Sequence, residues 1–216
     1  MTTRKYQYHR DTWRALIGTT LTGLLVVTLA VSALAGGDEG RLSEKLKFKD
    51  GQGKPAFQIK PEENGAKLQD PQEKELARYT RKGDKLKFKD ADDKVLGYVT
   101  GTGAKLKVKD AEQKTVFFIL QRQDDGDYKL EDGSEKLLCK IKKRDYGWKI
   151  VDADEKEVAK VKLKDGKISL RDAADQTRYY TKNQVGTLGV ACLGLDKLTL
   201  EQRVGLLVML ELVGGQ

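Results

Sequence analysis

Histidine is almost missing from this 216-residue sequence, and the only one, His9, lies close to the start. The rest of the chain therefore holds no Ser-His-Asp or Cys-His pair for nucleophilic catalysis and no histidine-containing metal site. Cysteine is scarce as well. Cys139 and Cys192 are far apart in sequence and make no zinc-ligand spacing. Both stand in apolar stretches, LLCKI and GVACLGL, where a thiol behaves as a small hydrophobe. Outside the cytoplasm they are also free to pair. The three prolines exclude long polyproline linkers. No glycine-rich phosphate loop precedes a helix. The acidic clusters Asp90-Asp92-Asp93 and Asp124-Asp125-Asp127 match no complete calcium loop and read as turns. No catalytic residue, cofactor or metal is expected, and the chain reads as a non-enzyme.

Charge is plentiful but unblocked. Charged residues make up 34% of the chain and the formal charge is +8. Without the first 35 residues, 37 basic face 32 acidic residues, a balance of +5. That favours weak attraction to anionic surfaces and falls short of a nucleic-acid binder.

The N-terminus reads as an export segment. Arg4, Lys5, Arg10 and Arg14 precede an uncharged run over residues 15–35, ALIGTTLTGLLVVTLAVSALA. The run ends in the small-x-small pattern Ala33-Leu34-Ala35 of a cleavable signal peptide. At 21 residues it is also long enough for an uncleaved membrane anchor. No Cys follows to carry a lipid. Either way the remainder is expected outside the cytoplasm, periplasmic, extracellular or held at the membrane. Residues 36–44 read as a linker.

Residues 45–182 repeat. Asp recurs at positions 50, 70, 90, 110, 132, 152 and 172, and Lys stands four residues after the first six of these. KLKFKD occurs twice and KLKVKD once. Before each Asp, apolar residues alternate with polar ones, the period of a half-buried strand. Polar turn formers follow, then a second strand such as Val95–Val99. Seven such units make up to fourteen antiparallel strands. The lysines of KLKFKD face water, as solubility devices and edge protection or as an anion-binding face formed by Lys47, Lys49, Lys87, Lys89, Lys107 and Lys109. Seven residues after each Asp comes an inward column, Phe57, Ala77, Gly97, Phe117, Cys139, Ala159 and Tyr179, in which four members are small. Exposed apolar residues are expected at Tyr98, Phe118 or Tyr180.

After Lys182 the composition turns apolar. Thr199 and Gln202 make a capping-box pattern ahead of a helix over residues 200–213. It is apolar almost all round, hence buried, and its charged residues argue against a membrane span. Residues 185–195 are a candidate for a further helix. A sheet of this many strands curls or closes, and close packing requires something to fill the room beside the small column. The expected fold is therefore mainly β: 12–14 strands closed around a C-terminal helix, with Leu200, Val204, Leu207, Val208 and Leu210 as filler.

Repeated KLKFKD-type hairpins followed by LTLEQRVGLLVMLELV resemble the tubby C-terminal superfamily, which includes LURP-one-related proteins and phospholipid scramblases. The resemblance implies a twelve-stranded barrel around a buried C-terminal helix. On that count the first hairpin, with Pro55 and Pro61, is the candidate to lie outside. No phosphoinositide pocket or scramblase calcium motif is matched, so no site residue carries over. The expectation is a non-enzymatic envelope barrel that binds anionic lipid or polymer. The alternative is a structural or protein-interaction module.

Overall fold

The computed structural model describes residues 42–214. Residues 1–35, and the signal or anchor expected there, lie outside the described residues. The unit considered below is 36–216.

Fourteen strands follow one another: β1 Leu46–Lys49, β2 Pro55–Glu62, β3 Gly65–Gln69, β4 Glu75–Lys82, β5 Lys85–Asp90, β6 Val95–Thr102, β7 Lys105–Lys109, β8 Val116–Arg122, β9 Tyr128–Asp132, β10 Leu137–Arg144, β11 Gly147–Asp152, β12 Glu157–Lys164, β13 Lys167–Asp172 and β14 Thr177–Thr181. Each pairs antiparallel with its sequence neighbours, and β1 meets β14 to close the barrel. The first hairpin is part of the wall, against the expectation that it lies outside. Pro61 is accommodated in the ladder opposite Ala66. Leu42 is buried in the core, so the expected linker is already tied down at its end.

The recurring Asp has a local job. In the turn after β11, Asp152 Oδ1 accepts the N–H groups of Asp154 (3.0 Å) and Lys156 (2.9 Å). Asp50, Asp70, Asp90 and Asp132 do the same two and four residues on. The Asp backbone closes the turn, accepting from the third residue and donating to the fourth. That third residue is left-handed in every unit, for example Glu73 at φ 66° and Glu155 at φ 64°. This is a type I turn followed by a left-handed residue, the commonest three-residue hairpin loop. A carboxylate that accepts backbone N–H bonds stabilises it, and only the first unit places a glycine, Gly53, at the left-handed position.

The fourth unit departs from the pattern. Asp110 N–H donates to the carbonyl of Thr115 (3.0 Å), where other units use the fourth residue. One extra residue in the turn shifts the phase of β8. Phe118 and Leu120 therefore face inward, opposite Val108 and Leu106. Phe117, expected inside, is 39% exposed, and Phe118, expected outside, packs against the core.

The interior is filled by two helices rather than one, α1 Thr187–Cys192 and α2 Leu200–Leu212. They form a hairpin. α2 packs on β3 to β6, and α1 on β11 to β13. Thr199 and Gln202 form the expected capping box. Val204, Leu207, Val208 and Leu210 are buried, while Leu200 is only partly so. At Gly205 an added Cβ would lie 3.1 Å from Val99, so the glycine lets α2 approach the wall. The room at Gly97 is taken by Phe88 from the adjacent strand, whose ring would lie 2.9 Å from a Cβ there. Two buried aromatic donors are satisfied: Tyr79 Oη donates to the Glu201 carbonyl (2.9 Å) and Trp148 Nε1 to Thr187 Oγ1 (2.9 Å). Arg178 holds Asp196, in the turn between the helices, with bonds of 2.9 and 2.8 Å. Cys139 and Cys192 are free and buried. Burial pushes the Cys139 thiol up to about 12 and the Cys192 thiol further from its ordinary value, so neither is poised as a nucleophile. Among the described residues no helix is long and apolar enough to cross a membrane.

Candidate functional site: the lysine cleft at the barrel seam

Closure brings the first and last strands together at the weakest join in the wall. The β1–β14 ladder has a single residue pair, Lys49 opposite Tyr180. Side chains complete the join. Lys47 N–H donates to Asn183 Oδ1 (2.8 Å), and the Glu44 carboxylate accepts from Asn183 Nδ2 (2.9 Å) and Gln184 N–H (2.8 Å). Because the strands separate beyond one pair, a cleft of about 300 Å3 opens between them. It is lined by Lys47, Lys49, Tyr180, Thr181, Lys182 and Asn183. Lys167 approaches the Tyr180 ring at 5.3 Å, adding a fourth cation nearby.

The six lysines expected to form one face fall into two groups. Lys47 and Lys49 line the seam. Lys87 and Lys109 stand on β5 and β7, each opposite Tyr98 of the intervening β6. Lys107 lies beside them opposite Thr100. Lys89 is paired with Asp93 at 3.3 Å. Several wall lysines differ in one further respect. Lys67, Lys129, Lys140, Lys142, Lys149, Lys160 and Lys162 all sit within ion-pair distance of carboxylates. Among the described residues, Lys47, Lys49 and Lys182 have no such partner, and neither do Lys87, Lys107 and Lys109; what sets the first three apart is the cleft they share.

The charge is also divided along the barrel. The seven Asp turns carry fifteen carboxylates and six lysines, so that rim is acidic. Several of these carboxylates bend back onto the wall. Glu155 takes Lys140 at 2.7 Å and also Lys142; Asp175 takes Arg171 at 2.7 Å and Lys160 and Lys162 at 3.2 Å. Hydrogen bonds from Lys140 and Lys142 hold the Glu155 carboxyl down to about 2, and Arg171 with both lysines holds Asp175 lower still. These groups are exposed, and their pairs are worth little individually. No three His, Cys, Asp or Glu side chains converge as a metal site among the described residues.

Sequence reading found Lys47 and Lys49 but missed Lys182, Tyr180 as a cleft wall, and Asn183. The strand pattern ends at Lys182, and nothing local says that this end lies beside residue 47.

No family model and no curated protein matches this sequence. Among solved structures, the X-ray structure of a protein from Arabidopsis thaliana is similar, with a TM-score of 0.40 and 11% identity over 76% of this chain and 93% of that one. The class is set by the architecture itself: a closed fourteen-strand antiparallel barrel plugged by its own C-terminal helical hairpin.

Proposed function

We propose that this is an exported, non-enzymatic barrel of the cell envelope that binds anionic lipid through the lysine cleft at its seam. The observation that carries the reading is that Lys47, Lys49 and Lys182, without a carboxylate partner among the described residues, share one concave cleft with Tyr180. Unpaired cations beside a tyrosine in a concave cleft attract a phosphate-bearing headgroup without having to break an existing pair. Repeated hairpins around a buried C-terminal helix also support kinship with the tubby C-terminal group, with fourteen strands in place of twelve. The export segment supports placement outside the cytoplasm.

The test is co-sedimentation of residues 36–216 with neutral and anionic vesicles at low and high salt. Binding to anionic vesicles alone, weakened by salt and by combined Lys47→Glu, Lys49→Glu and Lys182→Glu, is the expected outcome. Equal binding by that triple variant sinks the seam reading. A soluble anionic polymer that competes with vesicles would move the ligand from lipid to polymer. A second reading, a protein-interaction module, rests on Tyr146 and Leu163. These exposed residues are neighbours, the Leu163 N–H donating to the Tyr146 carbonyl at 2.9 Å. It predicts binding that survives high salt.

A further inference from the structure

At the rim opposite the Asp turns, five of the six strand connections are two residues long. The sixth, between β8 and β9, has five, Gln123 to Asp127. A cavity of about 430 Å3 opens beside this loop. That volume falls within the usual range for small-molecule sites. Its apolar lining comes from Tyr128, Trp148 and Leu188, and the two rings meet edge to face with centroids 6.0 Å apart. The charged lining has both signs: Arg122 and Lys143 on one side of the account, Asp124 and Asp125 on the other.

The lining is preorganised beneath and uncommitted above. Trp148 is fixed by its bond to Thr187 at the start of α1, and burial pushes the Tyr128 hydroxyl up. The loop is held to β10 by Asp127 Oδ1, which accepts the Lys143 N–H at 2.7 Å. Asp125 Oδ1 accepts the Asp127 N–H at 3.0 Å, which fixes the loop from within. The side chains of Arg122, Lys143 and Asp124 make no hydrogen bond or ion pair among the described residues. Opposite charges share one cavity without neutralising each other, above an aromatic base.

We infer that this cavity binds a small zwitterion. Its anionic group, a carboxylate or phosphate, is taken by Arg122 and Lys143, its ammonium group by Asp124 and Asp125, and its apolar body rests on Trp148. Charge-assisted bonds at both ends fix the orientation, and the rings supply the apolar contact. The cavity is separate from the seam cleft, and this inference does not depend on lipid binding there.

Trp148 reports on the site directly. The other tryptophan is Trp13, so the full chain carrying Trp13→Phe has one indole. Its emission is titrated with phosphoethanolamine and with glycyl-leucine, which carry a phosphate and a carboxylate respectively, and with inorganic phosphate and ethylamine as single-charge controls. A saturable change with at least one zwitterion is expected, weakened about tenfold or more by Arg122→Gln and by Asp124→Asn. The preferred probe tells which anionic end the site takes. No saturable change with either zwitterion overturns the inference. So does inorganic phosphate binding as tightly as the zwitterions, or affinity unchanged in both variants. Lys143→Gln provides a second anion-side variant if Arg122→Gln alters the thermal melt. Vesicle binding through Lys47, Lys49 and Lys182 is unaffected by any of these outcomes.

Discussion

Seven turns at one end of the barrel share the Asp device, with one variation after Asp110, whereas at the other end five connections are two residues long and the sixth has five. At the first rim an Asp carboxylate accepts backbone N–H groups and a left-handed residue completes the loop. At the second rim each connection holds or adjoins a glycine whose place varies, and only the β8–β9 loop departs from two residues. The repeated rim is spent on closing hairpins correctly, because register decides which side chains enter the core. At the other rim a cavity of about 430 Å3 opens beside the one long loop. Repetition marks where structure is secured, and departure from repetition marks where a site has room to form.

Both rims depend on the shared plug, so the largest effect is expected from Leu207→Asp. Leu207 is fully buried, and a charge there without a partner costs several kcal/mol. The variant should be insoluble or lack the barrel's circular dichroism, and a soluble, normally β-rich protein would refute the plugged barrel.

Next come the rims themselves. Asp152→Ala removes the carboxylate oxygen that accepts two turn N–H groups and should cost about 1–2 kcal/mol in urea denaturation. Asp124→Ala, on the varied rim, should stay within about 0.5 kcal/mol. Equal losses would erase the distinction between the two ends.

Acid should act on the repeated rim first. The folded Glu155 and Asp175 carboxyls titrate below their unfolded values. Their contribution is thus complete above the unfolded carboxylate range, about pH 4, and is lost as pH falls toward 2. Glu155→Gln should flatten the melting temperature against pH over that window, and 1 M salt should shrink the effect. A profile unchanged in the variant would show that these pairs contribute nothing.

The smallest effects are a matched pair. Gln113 is left-handed at φ 60°, so Gln113→Asn should stabilise by up to about 1 kcal/mol. Gly83, left-handed at φ 61° on the other rim with no atom near an added Cβ, should lose about as much on Gly83→Ala.

The repeated rim was legible from composition and spacing. The strand period of two lies within a few residues, and an Asp turn bonds only to its own next few backbone groups. The phase slip after Asp110 was harder to see. The step to Asp132 is two residues longer than the others, yet Phe117 was expected inside, and only pairing with β7 shows that Phe118 and Leu120 face the core. The seam was not legible, since Lys47 and Lys182 are 135 positions apart and meet only when the sheet closes.

Local chemistry therefore determined the hairpins, the alternation of buried and wet residues, and the capped, apolar helix that needed an interior. Tertiary structure decided that all fourteen strands join, that a second short helix shares the interior, and that Lys47, Lys49 and Lys182 line one cleft where β1 meets β14. It also decided that a five-residue loop opens a cavity over Trp148. The physical reason is range. Turn bonds and strand periodicity act between near neighbours, whereas closure and packing act between residues the chain itself keeps far apart.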